Sequence, residues 1–246
     1  MDMKIFTDAA NIEESLIRIT DKGDIRHMIK VMRMKEGDML DVSDSTEWEY
    51  QAEILSIDED LVLLSVLDKQ KFAREPRLQV TLFQGVPKAG KMETIIQKCV
   101  ELGVSSVVPV FMDRTVVVEK GNFAKKLERW QKVADEAVKQ CKRGVIPSVC
   151  QQIKFAELGE QLAEFDLVLF PYENEENYSI KDCLRGLSEN PESVAIVIGP
   201  EGGFSDKEAA LMKEWNTSCV TLGKTILRTE TAGMAALAMT MYELEL

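Results

Sequence analysis

Histidine occurs once in this sequence, as His27, and the five cysteines Cys99, Cys141, Cys150, Cys183 and Cys219 contain no C-x-x-C pair. That set excludes the common zinc frameworks and a paired disulfide scaffold, so reduced thiols and no metal are expected. A Ser/His/Asp or Cys/His nucleophilic system would have to borrow its base from the distant His27, which disfavours hydrolase chemistry. Long apolar runs are absent too, as is a basic segment followed by an apolar one near Met1, and the expectation is a cytoplasmic protein with no membrane contact.

A positive overall charge is missing as well: the formal net charge is −12. Its distribution is uneven, with −8 over residues 1–72, +6 over 73–153 and −10 over 154–246. Screening confines each charge to about 10 Å at moderate salt, so a basic band between acidic flanks can still neutralise phosphates locally. Its other reading is a solvated helical surface rich in lysine.

What is present divides the 246 residues in two. Segments 39–43, 47–57 and 61–67 read as close-set strands, the second by alternation of polar and apolar residues and the third by β-branched and leucine content. They suggest a small barrel or barrel-like sheet over residues 1–72, with the charged stretch 68–76 as linker. From Leu78 onward strands at 78–85, 107–112, 166–170, 194–198 and 218–222 alternate with helices, the pattern of a mostly parallel sheet covered on both faces. Helix 91–102 turns Met92, Ile95, Ile96, Cys99 and Val100 inward and has Gly103 to cap it. Helix 122–143 buries Phe123, Leu127, Trp130, Ala134, Ala137 and Cys141, and carries much of the basic band on its other side.

The chemistry concentrates near the C-terminal end. Ile196-Val197-Ile198-Gly199-Pro200-Glu201-Gly202-Gly203-Phe204-Ser205 is a strand that breaks into a glycine loop and then a helix, with Ser205 and Glu208 in capping-box spacing. Leu222-Gly223-Lys224-Thr225-Ile226-Leu227-Arg228-Thr229-Glu230-Thr231-Ala232 follows the next strand and opens an apolar helix, 232–242, that must be covered on all sides by core or by a second subunit. Each loop bares backbone amides above a strand end, and two so close together suggest one composite pocket. Each also has a plainer reading, as a strand-to-helix turn and as a helix start that favours Glu230 through its dipole.

Gly85-Val86-Pro87-Lys88-Ala89-Gly90-Lys91-Met92 falls short of the phosphate-binding G-x-x-x-x-G-K-[ST] loop. Met92 stands where a hydroxyl would ligate magnesium and Pro87 removes an amide, so Lys88 and Lys91 are read as RNA phosphate contacts. In the N-terminal part Arg26, Lys30 and Arg33 recur at i, i+4 and i+7, a basic stripe opposite Ile25, Met28, Ile29 and Met32.

These motifs together resemble the 16S ribosomal RNA (uracil-N3) methyltransferase family of the SPOUT class, and the resemblance spans nearly the whole chain. Arg26 to Asp38 is similar to its N-terminal signature, with methionines where leucines are usual. Lys88, Lys91, Glu93, Lys98, Glu101-Leu102-Gly103 and Arg114 resemble its central block, and Gln140, Arg143 and Pro147 the next. Lys139 and Cys141 depart from the acidic and small residues common there. The resemblance implies a PUA-like β-barrel at 1–72 and, at 73–246, a SPOUT domain whose C-terminal segment threads a deep trefoil knot.

It further implies S-adenosyl-L-methionine as cofactor, held by Phe170, Pro171, Gly199, Pro200, Glu201, Gly202, Gly203, Leu222, Gly223, Ile226, Leu227 and Arg228. The implied substrate is N3 of a uridine in 16S rRNA or the small ribosomal subunit, with a homodimer as the active unit. RNA contacts would come from Arg26, Lys30, Arg33, Lys88, Lys91, Arg114 and Arg143, and the acid-base and charge-stabilising roles from Glu230 and Arg228. Two other readings carry different consequences: a related methylase acting on a ribose 2′-hydroxyl, and a ribosome-assembly module that binds RNA without chemistry.

Overall fold

The computed structural model describes residues 4–72, 75–117 and 123–246, and the chain divides into two compact units. The first comprises residues 1–75 together with Val138–Ile146, and the second holds the rest.

In the first unit the elements are β1 (Lys4–Phe6), β2 (Leu16–Ile19), α1 (Lys22–Arg26), a π-helical turn (His27–Met32), β3 (Met39–Ser43), β4 (Trp48–Ile57) and β5 (Val62–Lys71). They form one sheet in the order β1-β3-β4-β5-β2, antiparallel except for β1 on β3. Alternation along β4 turns Tyr50, Ala52 and Ile54 onto a core with Ile5, Ile17, Ile19, Leu40, Val42 and Leu64, which Ile25 and Met28 complete from the helical segment. The expected strand 61–67 runs on to Lys71, because pairing as far as Trp48↔Lys71 satisfies the backbone where the side chains are too polar to signal a strand. β1 and β2 carry no sequence signal, being three and four residues long.

The excursion Val138–Ile146 is tied to this unit by buried polar contacts. Lys4 Nζ donates to the carbonyls of Lys142 and Arg143 at 3.3 Å and pairs with Glu49, and Ser43 Oγ donates to the Gly144 carbonyl at 2.6 Å.

In the second unit follow β6 (Gln79–Gly85), α2 (Lys91–Glu101), β7 (Ser106–Phe111), α3 (Phe123–Cys141, whose last residues belong to the first unit), β8 (Ser148–Val149), β9 (Ile153–Lys154), α4 (Phe155–Leu162), β10 (Leu167–Pro171), α5 (Ile180–Arg185), β11 (Ser193–Ile198), α6 (Asp206–Glu214), β12 (Ser218–Val220) and α7 (Thr229–Leu244). The sheet is parallel throughout, in the order β12-β10-β11-β6-β7-β8 with β9 also on β7. Central strands buried on both faces read as the continuous apolar runs Val194–Ile198 and Leu167–Pro171. The expected start of α3 at 122 lies outside the described residues, and the two-residue strands and short helices α4 and α5 leave too little pattern to be read in advance.

α6 starts as expected: Ser205 Oγ accepts from the Glu208 amide and Glu208 Oε2 from the Ser205 amide, closing the capping box. β12 ends two residues before the expected 222: Thr221 leaves β10 to bridge Ser179 in parallel, and Thr221 and Leu222 line a cavity. α7 is not covered on all sides within one chain: Tyr242 is 69% exposed and Met239 is also exposed.

Candidate active site

β12, β10 and β11 are neighbours in a parallel sheet, so their three C-terminal ends open on one side, where α/β folds bind ligands. The loops that leave them enclose a cavity of about 990 Å³ lined by Pro171 and Tyr172, by Gly199 to Phe204, and by Thr221 to Thr229. Lys91, Glu173 and Glu175 add charge to its walls. The volume falls at the upper end of the roughly 300–1,000 Å³ typical of small-molecule sites.

Backbone makes much of this wall, for reasons visible residue by residue. At Gly85 the end of β6 lies so close under the loop that a Cβ would sit 2.5 Å from the Pro200 nitrogen, so no other residue fits there. Gly203 has φ +66°, the left-handed region, and its amide donates to the Pro200 carbonyl at 2.9 Å to close the turn. Beneath the loop Phe204 stands edge-on to Phe170 at 4.8 Å, and Phe170 stacks on Tyr172. The loop therefore rests on an aromatic floor.

Charged groups gather at one rim. Lys91 Nζ lies 3.1 Å from Glu201 Oε1 and 3.2 Å from Glu230 Oε2, and the Lys88 amide also donates to Glu201 at 3.0 Å. Hydrogen bonds from Lys91 to Glu201 and then to Glu230 raise the Lys91 pKa. Burial pushes Glu201 up, but its own amide, the Lys88 amide and Lys91 outweigh that and hold it below the ordinary carboxylate range. Glu230 is lowered chiefly by its own backbone amide, against a smaller effect of burial, with Lys91 and Arg228 assisting. Arg228 is the N-cap residue of α7, its carbonyl accepting from the Thr231 and Ala232 amides at 2.8 Å.

Of the residues assigned to the cofactor from the sequence, all but one line the cavity. Phe170 does not: it is fully buried at the end of β10 and supports Tyr172 and Phe204 from below. Arg228 lines the cavity, while Glu230 reaches its rim through Lys91. The RNA assignments divide. Arg26, Lys30, Arg33, Lys88 and Arg114 are exposed. The first three do not form the α-helical stripe expected, because the turn widens to a π-helix at His27–Met32 and Arg33 closes it with φ 55°.

Arg114 also donates to the Gly202 carbonyl at 2.9 Å, and the neighbouring Asp113 amide bonds to buried Glu208 at 2.8 Å, so this loop is fastened to the glycine loop and to α6. Lys91 faces two carboxylates in the cavity wall instead of standing free for phosphate. Arg143 is 7% exposed and its guanidinium lies on Glu75, Nη2 to Oε2 at 3.0 Å, while the Gly144 and Val145 amides donate to the same carboxylate. Helix propensity and charge counts carry no signal of that burial, which depends on the fold of residues far apart in sequence.

Sequence reasoning missed Tyr172, Glu173 and Glu175, and it missed Gln84. The acidic run after β10 was a usable signal for the first three. For Gln84 the signal was a lone amide ending the apolar run of β6, since a buried polar side chain needs partners. Among the described residues no group of three or more His, Cys, Asp or Glu side chains could hold a metal ion.

A parallel sheet with a strand-end cavity walled by glycine-loop backbone defines a ligand-binding α/β domain that follows a small β unit. Comparison gives the family. Residues 74–241 match the RNA methyltransferase domain and residues 19–67 the RNA methyltransferase PUA domain, and the chain belongs to this family. It is 34% identical to ribosomal RNA small subunit methyltransferase E of Bacillus subtilis, over 91% of this chain and 89% of that one.

Among solved structures it is similar to ribosomal RNA small subunit methyltransferase E of Neisseria gonorrhoeae bound to S-adenosyl methionine, with a TM-score of 0.85, 26% identity and 98% of each chain covered. A Legionella pneumophila protein in complex with the cofactor SAM aligns equally well, with a TM-score of 0.85, 28% identity and 98% of each chain.

Proposed function

We propose that this chain methylates N3 of a uridine in small-subunit ribosomal RNA, with S-adenosylmethionine bound in the strand-end cavity. The observation that carries the reading is that cavity: a site of about 990 Å³ walled by the backbone of three loops, with the ion cluster Lys91, Glu201 and Glu230 on its rim. The residues fit such a ligand. Ile198, Leu222, Ile226 and Leu227 offer apolar surface for a purine, the glycine loops offer amides and carbonyls, and Glu173, Glu175 and Glu201 suit ammonium and hydroxyl groups.

The cofactor supplies a methyl group on a sulfonium, already activated for displacement. The protein then has to align the uracil and handle the N3 proton. In our reading Glu230 accepts that proton. Its lowered pKa makes it a weak base, so Arg228 and Lys91 share the work by stabilising the negative charge that spreads over the uracil oxygens. A target held in folded RNA has to be turned out of its stack to reach the cavity.

RNA is proposed to lie along Arg26, Lys30 and Arg33 in the first unit, which serves as the RNA-binding module, and along Lys88 and Arg114 in the second. The active unit is proposed to be a homodimer, a reading supported by Met239 and Tyr242, which are exposed on the largely apolar stretch 232–242 of α7. The C-terminal segment is proposed to be threaded as a trefoil knot. In support, the chain leaves β11, pairs β12 outside β10, and returns as α7 against β11, β6 and α2. Among the described residues no helix is long and apolar enough to cross a membrane, and a cytoplasmic location is proposed to go with the ribosomal substrate.

The test is nucleoside analysis of small-subunit RNA incubated with the protein and methyl-labelled S-adenosylmethionine. Label in 3-methyluridine is expected. Label in a 2′-O-methylated nucleoside would replace the base assignment, and no label with intact RNA binding would leave a binding module.

A further inference from the structure

Gln84 is fully buried at the end of β6, and Thr229 is buried at the first residue of α7. Gln84 Nε2 donates to the Gly85 carbonyl at 3.0 Å and to Thr229 Oγ1 at 2.9 Å, and Thr229 Oγ1 lies 2.6 Å from the Gly199 carbonyl. The direction of this relay is fixed by chemistry. Both carbonyls only accept, so the amide nitrogen must face Gly85 and Thr229, and the hydroxyl must spend its single proton on Gly199.

The other end of the glutamine shows what the arrangement is for. Gln84 Oε1 is buried and has no hydrogen-bond partner among the described residues. An apolar side chain at this position would avoid that penalty, so the donor end has to compensate for it. The donor end holds Thr229, and Thr229 holds the Gly199 carbonyl. Gly199 and Thr229 both line the cavity, one at the start of the glycine loop and the other between Arg228 and Glu230. Gly85 lies directly under the same loop, so backbone contact and relay act on one spot.

We propose that Thr229, backed by Gln84, is a positioning residue that locks the Gly199 carbonyl to the start of α7 and so preorganises the cofactor loop. The inference rests on the reading of the cavity as the S-adenosylmethionine site. The relay is neutral and buried, so its contribution should not respond to salt, in contrast to ion pairs near the surface.

Calorimetry of the full-length protein with S-adenosylmethionine tests it. Thr229→Val keeps the branched shape and removes both hydrogen bonds, and is expected to weaken binding about tenfold at low and at high salt alike. Thr229→Ser keeps the hydroxyl and should bind within about threefold of the parent. Gln84→Met leaves Thr229 its bond to Gly199 and should cost less than the valine variant. Unchanged affinity in folded Thr229→Val, or a serine variant as weak as the valine one, overturns the proposal. Failure of the underlying reading looks different, because the parent protein would then give no binding heat or would bind equally well after Gly202→Val.

Discussion

The floor and the rim of the cavity are held by opposite kinds of force. At the floor, Gln84, Thr229 and Gly199 are joined by neutral hydrogen bonds in a buried setting, over backbone packed so tightly that Gly85 admits no side chain. At the rim, Lys91, Glu201 and Glu230 are ionised and keep between 22% and 31% of their side-chain surface in solvent. A neutral buried network gives fixed geometry and is indifferent to pH and salt. A solvated ion cluster contributes little stability but can exchange partners when a charged or charge-developing ligand arrives. The division suits the proposed function, in which the site holds one ligand still while doing proton chemistry on another.

The largest break in this comparison should come at the rim. Glu230→Gln is nearly isosteric, and S-adenosylmethionine and RNA are expected to bind it nearly as before. The single-turnover methylation rate should nonetheless fall by roughly 10²–10⁴, the range for loss of a general base. A full rate in stable Glu230→Gln protein would assign the chemistry to Arg228, Lys91 and backbone dipoles alone.

In the glycine loop above that floor the matching break is Gly202→Val, at an exposed position. A Cβ there would lie 2.9 Å from the Arg114 Cβ, so the glycine loop or the Arg114 loop has to move. Cofactor affinity is expected to drop by at least about 10², the cost of overpacking a tight contact by a few kcal/mol. A thermal melt close to that of the parent would separate this from unfolding. Unchanged affinity in the folded variant would mean that the loop does not touch the ligand.

Lys91→Met sharpens the contrast through pH. Glu230 faces Lys91 and Arg228, and shares Lys91 with Glu201, so losing Lys91 removes a group that lowers the pKa of both carboxylates. The sign follows: with a higher pKa the ionised carboxylate is lost at higher pH, and the acidic limb of the rate profile moves up. Stability linked to these two groups is likewise present above their unfolded pKa and lost as pH falls through the folded one. Added salt should reduce the difference between variant and parent, because the pairs are solvated. A limb that stays in place would show that neither carboxylate titrates in the reaction.

Much of the fold was legible because central strands of a parallel sheet are apolar runs and α6 carries its own capping box, both local signals. The cavity loops were legible for a related reason, since glycine in a strand-end loop records a close approach. Side-chain pairing was less legible. Lys91 reads as a free cation until the fold brings Glu201 and Glu230 to it from 110 and 139 residues away in sequence. Arg143 reads as surface charge until Glu75 closes on it. The π-helical turn at His27–Met32 was hidden as well, because α-helical and π-helical hydrogen bonds differ by a single residue of offset.

Arg143 and Arg26 offer the finest distinction, between a cation that holds the fold and one that meets a phosphate. Arg26 is exposed at the end of α1, and Arg26→Ala should lower RNA affinity modestly while flattening the logarithmic salt dependence by about 0.7–0.9, the release of one counterion. Arg143→Ala leaves the Glu75 carboxylate half-satisfied in a partly buried position, so it should lower the melting temperature, and a folded sample should keep the parent salt slope. Filter binding across a salt series, with a thermal melt of each variant, reads both numbers. A slope change in Arg143→Ala equal to that in Arg26→Ala would mean that the Glu75 pair opens when RNA binds, and that burial in the free protein does not mark a residue as structural.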